Sequence, residues 1–220
     1  MLAKDLISDV IPPLHTSDTG LKALSLMEIF RVSHLPIVNN REFLGLISDN
    51  DIYDLNAAEE PIGNHSLSLQ QSFARQNQHL FEVLHLVAEH DLTVVPVLDE
   101  KNNYLGSISL RDLIHHLTSY TAINQPGSII VLEMNQHDYS PSQIAQIIES
   151  NDAKILCMFV SNHKDSTLIE VTIKVNKTDI GAIIQTFTRY NYTIKASYGE
   201  DSLDELYRQR FDMLLKYLNI

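Results

Sequence analysis

The sequence is poor in cations. Sixteen Lys and Arg face 28 Asp and Glu, a formal net charge of −12, and the cations do not cluster. That argues against gripping DNA or RNA through phosphates and against binding an anionic membrane surface. No apolar run approaches the ~20 residues of a spanning helix. The charged start Met1-Leu2-Ala3-Lys4-Asp5 is not that of a signal peptide. Cysteine occurs once, as Cys157, so no intrachain disulfide is available and a reducing, cytoplasmic setting is expected. Glycine is scarce, at seven residues. There is no Gly-x-x-x-x-Gly-Lys, no Gly-x-Gly-x-x-Gly and no Gly-x-Ser-x-Gly, and no residue nominates itself for catalysis. The ten histidines do not fall at zinc-site spacing. His115 and His116 are adjacent and point to different sides of a helix, and His85 with Glu89 could share a face without a second ligand pair. The chain reads as a non-enzyme that requires no metal or cofactor.

What is present is a repeat. Gly45-Leu46-Ile47-Ser48-Asp49-Asn50-Asp51 returns as Gly106-Ser107-Ile108-Ser109-Leu110-Arg111-Asp112, both Gly-x-Ile-Ser-x-x-Asp. Upstream, His34-Leu35-Pro36-Ile37-Val38 matches Val94-Val95-Pro96-Val97-Leu98. The Gly, Ser and Asp recur 61 residues apart and the Pro 60, so one residue is inserted between Pro96 and Gly106. In each copy a short apolar run ends at Ser and helix-like sequence follows. The Ser is a good N-cap, and the Asp three residues on can reach back to the cap's own N–H. A strand running into a helix start also offers backbone N–H groups to a phosphate, with a carboxylate placed for a ribose diol. The doubling of the whole arrangement favours this second reading.

Around the repeat the pattern is regular. A helical lead-in at 4–9 and an extended Ile11-Pro12-Pro13-Leu14 precede a helix to about Arg31, capped within Ser17-Asp18-Thr19, with Leu21, Leu24, Met27 and Phe30 inward. Strands at 34–38 and 43–48 and a helix from 49 to about 57 follow, then a linker at Pro61-Ile62-Gly63-Asn64. The order repeats: extended 72–76, helix 78–90, strands 93–98 and 104–109, helix 110–119. A parallel strand pair needs a helical crossover, and each copy supplies one.

These residues resemble a pair of CBS motifs, the Bateman module, over residues 1–123, with the first motif at about 8–58 and the second at about 68–120. The resemblance implies two packed sheets, two clefts, and an adenosine nucleotide held by Gly-x-x-Ser/Thr-x-x-Asp, the Asp on ribose and the hydroxyl on phosphate. The implied site residues are Ser48 and Asp51 in the first copy and Ser109, Arg111 and Asp112 in the second. Backbone near Pro36 and Pro96 is implied to add contacts, and Ile11, Ile37 and Val97 to pack on adenine. Asp49 and Asp51 repel phosphate at the first junction, whereas Arg111 can fork onto it at the second. The second cleft is therefore expected to bind better.

Asn124-Gln125-Pro126-Gly127 marks the domain boundary. Beyond it come a strand at 128–134, a helix opened by Ser140-Pro141, a buried strand at 154–161, and a strand in which Ile169, Val171, Ile173 and Val175 alternate with polar residues. A helix from Thr178 to Arg189 and a strand through Tyr192, Ile194, Ala196 and Tyr198 complete βαββαβ. This order over 124–200 resembles the ACT domain, a ferredoxin-like regulatory module. The loop Gln136–Pro141 lacks the usual glycine, which favours packing or dimerisation over an amino-acid site. A capping box at Ser202 and Glu205 opens a C-terminal helix over 201–220, with Leu203, Tyr207, Phe211, Leu214 and Leu218 on one face.

The expected fold class is thus α/β and α+β, a CBS pair followed by an ACT-type domain and a helix, similar to the acetoin utilization protein family. The expected function is regulatory: AMP, ADP or ATP bound between the motifs, transmitted through a homodimer, with an unidentified protein target as a further partner. The alternatives are a structural adaptor without nucleotide, or a sensor of another adenosyl ligand such as S-adenosylmethionine.

Overall fold

The computed structural model describes residues 1–54, 57–65, 71–162 and 167–199. The chain divides into two compact units, Met1–Leu117 and Thr118–Ile220. The C-terminal helix expected over 201–220 lies outside the described residues, as does the end of the helix expected to reach about 57.

In the first unit, α1 (Gly20–Phe30) is capped by the Thr19 hydroxyl, which accepts from the Lys22 N–H. It leads through Arg31, in the left-handed conformation, to β1 (His34–Asn39). β1 pairs antiparallel with β2 (Glu42–Ser48), and α2 (Asp49–Asp54) follows directly. The second copy gives β3 (Ala74–Arg75), α3 (Leu80–His90), β4 (Val94–Leu98), β5 (Tyr104–Ser109) and α4 (Leu110–Tyr120). His79, not a Ser, Thr, Asp or Asn, caps α3: its Nδ1 accepts from the Phe81 N–H and its own N–H donates to Glu82. β3 runs parallel to β4, and Leu14 makes the corresponding parallel bridge to Ile37.

The extra residue of the second copy is visible. Both hairpins carry the same irregularity, between Ile37 and Val38 and between Val97 and Leu98. Gly45 (φ 146°) and Gly106 (φ 154°) sit beside it, in a region that glycine alone enters freely. The strands therefore match residue for residue, and the insertion falls in the turn. Asn40 turns the first hairpin and Asn102 the second, both at positive φ. Asp99 braces the longer turn by accepting from the Asn103 side-chain amide and from the Asn103 and Lys101 N–H groups, and these bonds, the Asn103 side chain's first, hold its carboxyl below the usual range.

The two repeats are interleaved. Leu46 packs in the core built by the second copy, and Val94 in that of the first. The first residues of the chain cross over: Ala3 and Leu6 are buried in the second copy's core, with Ala3 N–H donating to Gln78 O at 2.8 Å and Lys4 N–H to Gln76 O at 3.1 Å. The 3-10 turn Ile62–Asn64 does the same for the first copy: Ile62 N–H donates to Asp18 O and Gly63 N–H to Thr16 O, both at 2.8 Å.

Some packing differs from the sequence reading. Leu21, expected inward, is 52% exposed, and Ala23 takes its place beside Met27 on the buried face. The buried face of α1 is confined to Gly20, Ala23 and Met27, a narrower stripe than its apolar content suggests.

In the second unit the order is β6 (Ser128–Asn135), α5 (Pro141–Glu149), β7 (Ile155–Asn162), β8 (Leu168–Val175), α6 (Gly181–Arg189) and β9 (Thr193–Tyr198). All pairings are antiparallel, in the order β7-β8-β6-β9. Ile130, Leu132, Ile169, Val171, Ile173 and Val175 meet Ile144, Ile147, Ile148, Ile183, Ile184 and Phe187 in one core, so both helices cover one sheet face. On the other face Glu133 and Glu170 stand opposite each other, and Lys195 pairs with both. β7 is a correction. Read as buried, it is an edge strand whose residues are half-buried or exposed, with Phe159 and Val160 each 44% exposed. Its apolar composition reflects β propensity rather than burial. α6 begins at Gly181 rather than Thr178. The expected alternation in β9 breaks where the register shifts opposite Val131 and Leu132, leaving Tyr198 exposed. No helix among the described residues is long and apolar enough to cross a membrane.

Candidate functional site

Both strand-to-helix junctions have the geometry their sequence implies. At the first, the Ser48 hydroxyl donates to Asp51 Oδ2 at 2.7 Å, and the Asp51 N–H donates to Ser48 Oγ at 3.2 Å. At the second, the Ser109 hydroxyl donates to Asp112 Oδ2 at 2.7 Å, and the Asp112 N–H returns to Ser109 Oγ at 3.0 Å. Each Ser–Asp pair is therefore a reciprocal helix cap. The first helical N–H is also placed alike: Asp49 N–H donates to Ser33 O at 3.1 Å and Leu110 N–H to Thr93 O at 3.0 Å.

The junctions differ in what surrounds the cap. At the first, the Asp49, Asn50 and Asp51 amides all have partners, Asn50 through the Asp49 carboxylate at 2.9 Å, and two acids crowd the turn. At the second, Arg111 stands exposed on the first turn of an 11-residue helix. His34 pairs across the hairpin with Ser48, whereas Val94 pairs with Ser109. Burial holds the His34 imidazole below the usual histidine range, against the pull of the Asp49 and Asp51 carboxylates. Beside the second junction, Tyr104 and Ser107 hydroxyls bond at 2.9 Å within the sheet, where the first copy has apolar Leu46 in the place of Ser107.

The remaining candidates lie deeper. Ile37 and Val97 are 1% and 0% exposed and belong to the cores, with Pro36 and Pro96 buried between them and their neighbours. Ile11 is buried in the first copy's core. An open cleft of ≈ 670 Å³ lies between α1 and α2, lined by Leu21, Met27, Arg31, Ser33, Asp49 and Tyr53 among others. It touches the first junction through Asp49, and none of the ten sequence-nominated residues lines it. Among the described residues no three metal-ligating side chains converge. His85 and Glu89 do share an exposed helix face, at 3.7 Å.

Sequence reasoning missed the seam between the copies. Thr93 Oγ1 accepts from the Ser33 N–H at 2.9 Å and the His34 N–H at 3.1 Å. At the other end Tyr104 N–H donates to Arg41 O at 2.7 Å. The available signal was Ser33 and Thr93, 60 residues apart like the two prolines.

The repeat is also matched by known proteins. Residues 3–57 and 73–119 match the CBS domain family. Over 160 residues the chain is 24% identical to an inosine-5′-monophosphate dehydrogenase of Methanocaldococcus jannaschii, covering 71% of this chain and 32% of that protein. Over 114 residues it is 26% identical to the CBS domain-containing protein YhcV of Bacillus subtilis, covering 50% of this chain and 81% of that one. The chain thus spans about a third of the dehydrogenase. A CBS domain pair/ACT domain protein of Thermotoga maritima superposes with a TM-score of 0.48 and 24% identity, over 54% of this chain and 98% of that one.

Proposed function

We propose, from the tandem pair of CBS domains that residues 3–57 and 73–119 form, that the chain is a regulatory protein which binds an adenine nucleotide at its second strand-to-helix junction. In CBS domains the Gly-x-x-Ser/Thr-x-x-Asp segment takes adenosine ligands, and this chain carries the segment twice. The observation that carries the reading is Arg111. It stands exposed one residue from the Ser109–Asp112 cap, at the positive end of α4, where phosphate charge gains from both the helix start and a bidentate donor. Asp112 would hold the ribose and Ser109 the phosphate, with Pro96 and Val97 behind the base. Ser48, Asp51, Pro36, Ile37 and Ile11 would form the weaker first site.

AMP, ADP or ATP would act by binding one arrangement of the CBS pair more tightly than another. In this reading residues 1–123 are the sensing domain and residues 124–200 a ferredoxin-like, ACT-type domain serving a homodimer. The whole is a cytoplasmic protein without enzymatic turnover, similar to the acetoin utilization family. The fully partnered amides at Asp49, Asn50 and Asp51 favour a second reading for the first junction alone, a structural cap without ligand.

Isothermal titration with AMP, ADP and ATP tests the reading, with S-adenosylmethionine as competitor. Loss of charge-assisted bonds worth about 1.5–3 kcal/mol predicts that Arg111→Ala weakens binding about ten- to a hundredfold. Combining it with Asp112→Ala should abolish binding. Unchanged affinity in that double variant, or no binding by any adenosine ligand, overturns the assignment. Displacement by S-adenosylmethionine at lower concentration would move the ligand to the adenosyl class without phosphate.

A further inference from the structure

We propose that His34 is a proton-operated joint between the two CBS domains, closed when its imidazole is neutral. The inference starts from the Thr93 hydroxyl. That oxygen accepts the Ser33 N–H at 2.9 Å and the His34 N–H at 3.1 Å. With both lone pairs engaged, it has one proton to give. His34 Nδ1 lies 3.2 Å away, and the Thr93 N–H also points at Nδ1, at 3.4 Å. Two donors converge on one ring nitrogen, so the network assigns Nδ1 as the acceptor and the ring proton to Nε2. A proton added at Nδ1 would face a hydroxyl oxygen already filled by two N–H groups and an amide that can only donate. The closed seam and the imidazolium are therefore incompatible.

The second state has a destination. The charged groups acting on the ring are the Asp49 and Asp51 carboxylates of α2. From β2 it faces Ser48, from the turn before β4 Thr93, and from the turn before β1 Ser33, none of which titrates near neutrality. An imidazolium leaves Thr93 for the carboxylate side, next to the Ser48–Asp51 cap. The ring is half-buried rather than sealed, so protons reach it. Burial already disfavours its charged form. The corresponding position in the second copy is Val94, so the CBS pair contains this joint once. Opening it frees two amides that tie the entry to β1 in the first domain to the turn before β4 in the second, and with them the relation between the domains.

The link to ligand rests on the nucleotide reading above, and the test separates the two. Imidazole C–H resonances of the full chain are followed by NMR from about pH 5 to pH 8, together with hydrogen exchange at the Ser33 and His34 amides, corrected for intrinsic rate. The expected result is a His34 midpoint below the ordinary ~6.5, with exchange at both amides rising about tenfold as the pH falls through it. Thr93→Val should move the midpoint up towards the ordinary value, and Thr93→Ser, which keeps the hydroxyl, should not. His34→Gln keeps an acceptor and cannot titrate, so its amide exchange should not respond to acid. A wild-type midpoint at the ordinary value, or an acid response that survives His34→Gln, overturns the joint. AMP titrations at about pH 7.5 and pH 5.5 then read the coupling: weakening of about fivefold or more in the wild type and none in His34→Gln. Equal weakening in both proteins overturns the coupling. Absence of binding by AMP, ADP and ATP alike, at both pH values and in both proteins, sinks the nucleotide reading and the coupling with it, while the NMR still decides the joint.

Discussion

Gly106→Ala should be among the most damaging single-methyl additions in the CBS pair. Gly106 sits in β5 at φ 154°, where a side chain is strained whatever the space around it. That backbone term costs about 1–3 kcal/mol. The space is also taken: a Cβ there would collide with the Ile7 side chain, which packs on the second domain's core. Forcing a methyl into such a contact costs about 1–3 kcal/mol more, since Ile7 must move and Ser8 N–H is bound to Ser107 O at 3.0 Å beside it. The two terms give about 2–6 kcal/mol, a large part of a domain's usual stability of about 5–15 kcal/mol. Urea denaturation of the wild type, Gly106→Ala, Ile7→Ala and the double variant measures both. Ile7→Ala removes the collision and leaves the backbone strain, so the double variant should be about 1–3 kcal/mol more stable than additivity predicts. A cost under about 0.5 kcal/mol for Gly106→Ala, or an additive cycle, refutes the reasoning.

Two further outcomes follow from single side chains. Burial raises the Tyr104 phenol above its ordinary value, opposed by the bond to Ser107. The folded state therefore favours the neutral phenol, and stability should fall as pH rises above about 10, where the unfolded chain's tyrosine ionises first. Tyr104→Phe should remove that alkaline component while costing about 1 kcal/mol at neutral pH, as pH-dependent denaturation curves will show. In the second unit, Phe187 is fully buried and stacks edge-on with Tyr192 at 5.4 Å between ring centres. Phe187→Ala should cost about 3–5 kcal/mol in chemical denaturation.

Much of the CBS pair was legible because its signals are local. The Ser–Asp caps are three-residue patterns with one geometric outcome, and the strands beside them are short apolar runs bounded by turns. The single inserted residue was also readable, and it falls in the turn because the irregularity beside Gly45 and Gly106 keeps both strands in the same register. The rest depends on what packs against what. β7 has the composition of a buried strand and the position of an edge. Leu21 has the spacing of an inner face and stays half-exposed among the described residues. The burial of Ile37 and Val97 in the two cores likewise comes from packing and is not spelled by their own short strands. His79 as a helix cap carries no Ser or Asp signature. Thr93 was invisible because its importance comes from two amides sixty residues away.

The crossing of the lead-in segments ties the two copies into one compact unit. Leu2 bridges to His79, and Thr19 to Pro61, at matching places in the two copies. Residues 1–8 thus complete the second domain, and residues 61–65 the first. The repeat in the sequence and the repeat in the packing are offset by one segment. Neither copy owns its whole core, since Ala3 and Leu6 belong to one and Ile62 to the other. A contact made by one copy is then anchored on chain that continues into its twin. Any ligand that prefers one position of Asp112 acts on β5, whose Ser107 holds Ser8 of the lead-in. That lead-in runs on through Ile11 and Leu14 into the first domain's core, where Leu14 N–H donates to Pro36 O at 2.8 Å. In the proposed regulatory reading this shared backbone would carry coupling between the domains, with the His34 joint setting how tightly they are tied.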